Sequence, residues 1–275
     1  MTDLLRHVGL SRYELNARLK PALLALLPTF CVALYWYPGV WSVVSSIMAV
    51  GSACGVLYAI AQLARNRGRV IERRLERKAG RDHTAKLLTH SDNTLVAETK
   101  ARYHAYLLRH DRALSTFDEE KVGPEEAFRR ARSAVDWLLE HSRISAGASL
   151  LLDENISYGF QRNLLGLKPF GIALSVTALV VHGLLLALAM PTGERLWLGV
   201  AICIPLTIFL FGWVFLVTKG AVAEASLAYA QRLLAFCEAP AKSPRARPVL
   251  SEATKSAAMP AKSRQRKKAS ESKNL

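Results

Sequence analysis

The sequence predicts an all-α integral membrane protein with four transmembrane helices in two hairpins and a cytoplasmic helical bundle or stalk between them. First, the 275 residues are 51% hydrophobic, the upper limit for a soluble domain. Second, the apolar residues collect into two long blocks with almost no charge. Third, the net charge of +15 comes entirely from residues outside these blocks. This clustering is typical of polytopic membrane proteins.

The first apolar block, 21–64, holds 44 residues without a charged side chain. One straight helix of that length would span about 66 Å, roughly twice a hydrocarbon core. Pro38-Gly39 is a turn signal, and the Tyr and Trp residues around it prefer the membrane interface. The block therefore predicts two transmembrane helices, over 20–37 and 41–63.

The second apolar block, 169–218, is interrupted only by the turn sequence Pro191-Thr192-Gly193-Glu194-Arg195. Trp197 lies two residues after this turn and indicates a second membrane–water interface. The block therefore predicts transmembrane helices over 170–190 and 196–217.

Basic residues give the orientation. The two hairpin tips hold one of them, Arg195, whereas 65–81 alone holds eight against two acidic residues. By the positive-inside rule, both termini and the middle segment are cytoplasmic, in a multi-pass protein of the inner (plasma) membrane. Segment 1–19 lacks the apolar region of a signal peptide, so the first helix is expected to remain in the mature protein. The arginines expected to face anionic lipid head groups are Arg65, Arg67, Arg69, Arg73 and Arg74.

The cytoplasmic segment 64–168 has no convincing β-alternation and is predicted to be helical. The second transmembrane helix is expected to continue outward to about His90. Further helices are predicted over 93–113, 127–141 and 144–165.

Two segments follow the second hairpin. Segment 219–239 is predicted to be an amphipathic helix that continues the fourth span. Segment 240–275 is predicted to be a disordered basic tail, because 241–275 holds ten basic and two acidic residues among Ser, Ala and Pro. The tail is expected to bind anionic lipid or nucleic acid, or to be a solvated segment that reinforces the topology.

The second span is rich in small and hydroxyl side chains, and Gly51-Ser52-Ala53-Cys54-Gly55 matches the GxxxG pattern of closely packed membrane helices. This favours packing against a neighbouring span, or a homo-oligomer with a narrow polar path. The candidate packing or pore-lining residues are Ser42, Ser45, Ser46, Ala49, Gly51, Ser52 and Gly55.

His182 is the ionisable residue deep inside the third span, which makes it a functional candidate. The alternative is a neutral imidazole hydrogen-bonded to a neighbouring helix. The predicted spans hold no Asp, Glu, Lys or Arg, which argues against a proton- or sodium-coupled transporter.

A polar cluster comes just before the third span, with side chains on two adjacent rows of one helix. It is either a ligand-reading or gating surface at the cytoplasmic mouth, or a network that docks this helix on 65–90. Its members are Glu154, Asn155, Tyr158, Arg162 and Asn163.

The sequence contains no nucleophile elbow, phosphate-binding loop or metal-binding histidine pair, and its four cysteines lack zinc-site spacing. We therefore expect no enzymatic activity, no catalytic residue, no metal and no cofactor.

The uncharged hairpin 20–63, the basic helical middle segment and the second hairpin 169–217 together resemble the four-transmembrane pore-forming effectors of prokaryotic conflict (anti-phage) systems. The resemblance is one of architecture and transfers no functional residue. It implies an oligomeric pore gated through the cytoplasmic helices. The alternative is a membrane-anchored adaptor that recruits a soluble protein partner, or nucleic acid through the tail.

Overall fold

A computed structural model of the chain describes residues 11–37, 39, 47–142 and 148–238. Every regular element in these residues is a helix, and this described part contains no β-strand. The all-α prediction is therefore confirmed. The serines at positions 42, 45 and 46 and the basic tail 240–275 lie outside the described residues.

The first apolar block gives helices α1 and α2. Helix α1 spans Glu14–Trp36; its beginning, Glu14–Leu19, is π-helical and its remainder, Lys20–Trp36, is α-helical. Helix α2 is described over Ile47–Arg74. Of the predicted turn Pro38-Gly39, Gly39 lies in a turn and Pro38 is outside the described residues.

Helix α2 ends earlier than predicted. It was expected to continue to about His90, but it stops at Arg74 and a short 3₁₀ turn, Glu76–Lys78, follows. Glu76 (φ 47°) and Gly80 (φ 60°) both adopt left-handed backbone conformations, which an α-helix cannot continue through. Glycine adopts such a φ without steric strain, so Gly80 sets the place where the chain turns.

Four short helices, α3 to α6, form the middle of the chain. The predicted helix 93–113 begins later, because the Asp92 carboxylate accepts a hydrogen bond from the Thr94 N–H (2.9 Å) and holds a turn there instead. It also ends earlier, at Arg109, and Asp111 beyond it has a left-handed backbone conformation (φ 57°). Helix α5 was not predicted; a capping box between Thr116 and Glu119 fixes its start. The four helices are α3 (Gly80–Leu88), α4 (Ala97–Arg109), α5 (Phe117–Val122) and α6 (Pro124–Ser142).

Helix α7 is a single helix of 42 residues, Ala148–Ala189. The sequence predicted two helices here, over 144–165 and 170–190, and that division is wrong. An interior proline such as Pro169 costs a helix about 3 kcal/mol. The helix nevertheless continues through it, because α1, α2 and the two helices that follow α7 all pack against it. At 1.5 Å per residue α7 is about 63 Å long.

Helices α8 and α9 are separate. Helix α8 spans Gly193–Phe211 and continues as a π-helical stretch, Gly212–Leu216, whereas α9 spans Lys219–Leu234. The prediction that α9 continues the fourth span is wrong, since Val217 and Thr218 have extended backbone. The Thr218 hydroxyl accepts a hydrogen bond from the Ala221 N–H (3.2 Å) and caps the new helix.

Three helical stretches of the described part are long and apolar enough to cross a membrane: Glu14–Trp36, Ser149–Ala189 and Gly193–Leu216. They contain the first, third and fourth predicted spans, so a membrane protein is supported by the length and composition of its helices. Within Ser149–Ala189 only 169–189 is free of charge, and that half matches the thickness of a hydrocarbon core. Among the described residues, α2 is not one of these stretches.

We call the charged segments of the described chain the polar domain: 65–142, 148–168 and 219–238. Its core joins α3, α4, α6, α7 and α9. A much smaller apolar cluster of Val32, Ala178 and Leu206 joins the uncharged halves of α1, α7 and α8. The outer faces of those halves expose large apolar side chains, as helices that face lipid do. The largest fully buried core side chains of the polar domain include Leu87, Leu88, Leu107, Leu138, Leu233 and Leu234.

Candidate functional site

Glu72 of α2 binds two members of the predicted polar cluster on α7. The Tyr158 hydroxyl donates to Oε1 of Glu72 (2.8 Å), and Nη1 of Arg162 donates to Oε2 (2.7 Å). The Arg162 side chain is only 12% exposed and that of Glu72 31%. Tyr158 and Arg162 therefore dock α7 on α2, which is one of the two alternatives that the sequence left open.

The other members of the cluster divide between a contact with α1 and an open cleft. Asn163 is fully buried and donates from Nδ2 to the Ala17 carbonyl of α1 (2.7 Å). Asn155 lines the cleft described next. Glu154 is half-buried and, within the described residues, forms no hydrogen bond or ion pair. The five predicted residues thus do not converge on one point.

A cleft of about 880 Å³ lies in the polar domain between α2, α3, α6, α7 and α9. We call it the arginine cleft, because five of its seven charged lining residues are arginines and only Glu72 and Asp82 are acidic. Its walls also contain apolar side chains, among them Val70, Leu151 and Tyr229. The arginines are Arg69, Arg73, Arg81, Arg132 and Arg162.

Three of the cleft arginines are paired with carboxylates. Besides the pair formed by Arg162, Arg132 contacts Asp82 (2.8 Å) and Asp136 (3.3 Å), and Arg81 contacts Asp136 (3.0 Å). These pairs join α3 to α6 and leave no unpaired carboxylate in the cleft wall. Its two acidic residues are therefore already neutralised by arginine.

The other two cleft arginines have no acidic partner in the described part of the chain. Arg69 donates to the neutral amide oxygen of Asn66 (3.2 Å), and Arg73 has no polar partner there. In addition, Nε of Arg162 is buried and lacks a hydrogen-bond partner among the described residues. The cleft thus presents unmatched positive charge at Arg69 and Arg73.

Histidine and serine side chains join α3 to α9 beside the cleft. The hydroxyl oxygen of Ser226 accepts a hydrogen bond from the Gly80 N–H (2.7 Å) and lies 3.1 Å from Nδ1 of His83. Burial is the main cause that lowers the pKa of His83, so this imidazole is more easily kept neutral than a solvated one.

A buried lysine and a buried glutamate hold the loop between α3 and α4. Nζ of Lys100 donates to the Thr89 carbonyl (2.6 Å), and burial lowers the pKa of this amine. The Glu120 carboxylate accepts from the N–H groups of His90 (2.6 Å) and Ser91 (2.9 Å). Burial alone would raise the pKa of Glu120, but these hydrogen bonds outweigh it and the pKa is lowered. Lys100 and Glu120 therefore both stabilise the loop between α3 and α4.

His182 lies fully buried where α1, α7 and α8 meet. Its Nδ1 accepts a hydrogen bond from the Trp36 indole N–H (3.0 Å), and its Nε2 lies 2.9 Å from the Gly199 carbonyl. A nitrogen that accepts cannot carry a proton, so the proton is on Nε2 and the imidazole is neutral. This is the geometry of the alternative reading of His182, a neutral histidine bonded to neighbouring helices.

The same end of the helices carries further contacts from α1 to α8. The Tyr35 hydroxyl donates to the Arg195 carbonyl (2.7 Å), and the Arg195 guanidinium lies 5.9 Å from the centre of the Tyr35 ring. A Cβ added at Gly199 would lie 2.6 Å from the Tyr35 hydroxyl. The end of α1 therefore packs on the start of α8. The two helices approach so closely there that position 199 requires glycine.

The small-residue face of α2 is only partly described. The backbone of Ala49, Gly51 and Ser52 is helical, but their side-chain surroundings lie outside the described part. Gly55 is exposed, and a Cβ placed on it would meet no atom within 4 Å. At Gly55, then, no described residue of the chain packs on this face.

The predicted lipid-facing arginines lie in different surroundings. Arg67 packs its guanidinium over the Phe170 ring, 5.2 Å from its centre, where α7 becomes uncharged. Arg65 is half-buried and Arg74 is exposed. Arg69 and Arg73, in contrast, line the arginine cleft.

The chain matches no protein-family model, no curated protein and no solved structure. The resemblance to pore-forming effectors consequently stays a prediction. Among the described residues, no group of three or more His, Cys, Asp or Glu side chains is placed to hold a metal ion.

The sequence analysis missed the partners that α7 contacts. Glu72 was counted only as one of two acids within a basic run, and Ala17 and Trp36 were given no role in packing. One signal was present: Gly68 and Gly166 are glycines inside polar helices, where glycine costs about 1 kcal/mol relative to alanine. Such positions often mark a close approach between backbones.

Proposed function

We propose that the chain forms an oligomeric, channel-like pore in the inner (plasma) membrane, gated through the polar domain on the cytoplasmic side. The carrying observation is the exposed face of α2 at Gly55, where the described residues of one chain supply no packing partner. Cys54, Val56 and Tyr58 beside it are also exposed. Small residues let helix backbones approach closely, so a second copy of α2 fits this face.

Contacts at two points along α7 support the proposal that α2 is a fourth span. Trp36, at the end of α1, bonds to His182 of α7, whereas Gly68 of α2 lies against Asn163 of the same helix. These two points on α7 are 19 residues apart, about 28 Å at helical rise. The chain between 36 and 68 must return over that distance, which is close to a hydrocarbon thickness.

The positions of basic residues support the orientation. Lys168 donates to the Val214 and Val217 carbonyls (both 2.9 Å) at the end of α8, and Arg65 and Arg67 lie at the same end of α2. Among the described residues, the opposite end carries only Arg195. Basic residues collect on the cytoplasmic side of membrane helices, which supports a polar domain on that side.

The continuity of α7 supports gating of the pore by the polar domain. One rigid helix forms a wall of the arginine cleft and also crosses the apolar region, so a displacement of its polar half moves its membrane half. The architectural resemblance to pore-forming effectors suggests anti-phage defence as the biological setting.

The first test is the mass of the purified protein in detergent together with its conductance in planar bilayers. We expect an oligomer that conducts, and Gly55→Leu is expected to dissociate it and abolish conductance. Gly183→Leu is the matched control, because Gly183 is also open in one chain but lies on α7. A monomeric protein with silent bilayers, or equal effects of the two substitutions, would count against the pore.

The native cysteines give a second readout in membranes. If α2 packs on α2, the exposed Cys54 of two copies comes within disulfide distance, and a mild oxidant links them. We expect this dimer to disappear in Cys54→Ser and to persist in Cys203→Ser, since Cys203 lies on α8.

A membrane-anchored adaptor is the second candidate function. It is favoured by an aromatic surface on the polar domain, where Trp137 stacks on His141 (ring centres 4.9 Å apart) and His110 lies against both rings. Leu108 and Val122 are also exposed. Aromatic side chains such as that of Trp137 are enriched in protein interfaces. A soluble protein that co-purifies in fixed stoichiometry, without ion flux, would favour the adaptor.

A further inference from the structure

We propose that the arginine cleft is a binding site for a phosphate-bearing ligand. The proposal does not depend on the pore, because binding is measured on the purified chain without ion flux. It assigns a role to residues that the sequence analysis expected to face lipid or to dock helices.

The charge of the cleft selects an anion. Its five arginines face two carboxylates, both of which are already paired. Arg69 and Arg73 lie one helical turn apart on α2 and, within the described residues, lack an acidic partner. A guanidinium matches two phosphate oxygens at once, and paired arginines one turn apart suit a phosphate better than a single carboxylate.

Other walls of the cleft offer further donors. The Arg162 guanidinium lines the cleft beside its Glu72 partner. The first turn of α3, at Gly80 and Arg81, also lines the cleft, and the start of a helix carries partial positive charge. Asn155 of α7 adds a side-chain amide.

The remaining lining indicates that the ligand is more than inorganic phosphate. Val70, Leu139, Leu151 and Leu152 form apolar walls, and Tyr229 adds an aromatic ring. The volume of about 880 Å³ is that of a pocket for a small organic molecule. We therefore infer an organic phosphate whose apolar or ring portion contacts these walls.

Two sources supply this chemistry. The cleft begins at Asn66, two residues beyond the end of the uncharged block at Ala64, so the head group of an anionic phospholipid can reach it. A soluble organic phosphate enters from the opposite, solvent side. Both present a phosphate to the same arginines, and the experiment distinguishes them.

The test compares the full-length protein with Arg69→Gln/Arg73→Gln and with Arg74→Gln. Arg74 is the matched control, because it is exposed on the same helix and does not line the cleft. The soluble probes are pyrophosphate and adenosine diphosphate, followed by calorimetry in neutral detergent. The lipid probe is phosphatidylglycerol in phosphatidylcholine nanodiscs, followed by the unfolding temperature.

We expect saturable binding of adenosine diphosphate that is tighter than that of pyrophosphate. The double substitution should weaken it at least about tenfold, while Arg74→Gln leaves it unchanged. If only phosphatidylglycerol stabilises the protein, and the double substitution alone removes that effect, the phosphate is a lipid head group. The proposal is overturned if no probe distinguishes the double variant from Arg74→Gln, or if no probe binds.

Discussion

Glu72 shows how a single acidic residue in a basic run organises the polar domain. Eight basic residues surround it within 65–81, yet its carboxylate binds Tyr158 and Arg162 on another helix. A carboxylate that accepts two hydrogen bonds and faces a buried guanidinium is far more strongly held than an exposed one. Its neighbours on α2 remain available to solvent or a ligand.

Glu72→Gln is predicted to destabilise the protein by about 2 kcal/mol. Glutamine still accepts from Tyr158 but leaves Arg162 as an uncompensated, mostly buried charge, and removing one partner of such a pair is strongly destabilising. The measurement is the apparent unfolding temperature of the purified protein in detergent, with a drop of several degrees expected.

Glu125→Gln is the matched control for this prediction. Glu125 pairs with Arg77 at 2.5 Å, but its side chain is 74% exposed, and exposed pairs contribute below about 1 kcal/mol. Similar losses in both variants would mean that the Glu72 pair is no more than a surface ion pair.

At the scale of elements, the helices were predicted from the length of uncharged segments and from turn signals. These local signals were sufficient where a single one determined the boundary of a helix. Helix α6 (Pro124–Ser142) contains the predicted helix 127–141, and three of the four predicted spans coincide with helices long and apolar enough to cross a membrane. Local signals failed where tertiary contacts decide. The start of the uncharged block at 169 predicted a boundary between two helices, whereas α7 continues through it, and Val217-Thr218 gives a break that the apolar pattern does not reveal.

The candidate site was predictable only in part for the same reason. Helical spacing placed Tyr158 and Arg162 on one face, but nothing in their own segment identified Glu72, 86 residues earlier than Tyr158, as the partner. The arginine cleft is less predictable still, because it joins five helices that are distant in sequence. Spacing along one helix carries no information about which helix packs against it.

The packing of α2 on α7 leads to a prediction about Gly166. A Cβ at this position would lie 2.7 Å from the Gly68 nitrogen and 2.8 Å from the Arg67 carbonyl carbon. Backbone atoms cannot rotate away, so Gly166→Ala must separate the helices. We expect a loss of about 1–3 kcal/mol, seen as a lower apparent unfolding temperature.

Gly183→Ala provides the comparison on the same helix. A Cβ there meets no atom within 4 Å, and alanine is favoured over glycine inside a helix by about 1 kcal/mol. This variant should be as stable as the parent chain or slightly more so. If Gly166→Ala is equally well tolerated, the two helix backbones are not in close contact at this point.

At the scale of the whole molecule, the contacts at the two ends of the apolar helices link fold to topology. Arg12 pairs with Asp153 (2.9 Å), so the start of α1 lies beside the polar half of α7. Tyr35, at the other end of α1, contacts Arg195 beyond the end of α7. These contacts support the proposal that α2 crosses the membrane as α1 does, because two crossings return the chain to the side on which Ser11 lies.

Single-cysteine labelling tests this topology in a chain whose four native cysteines are replaced by alanine. The reporters are Ser11→Cys, Glu125→Cys and Glu194→Cys, and the reagent is a maleimide that does not cross membranes, applied to spheroplasts. We expect labelling of Glu194→Cys from outside, and of the other two only after permeabilisation. Ser11 and Glu125 reporting opposite sides would exclude α2 as a span, and Glu125 and Glu194 reporting the same side would exclude α7. Glu125 and Ser11 both outside, with Glu194 inside, would reverse the orientation and remove the cytoplasmic setting on which the gating proposal depends.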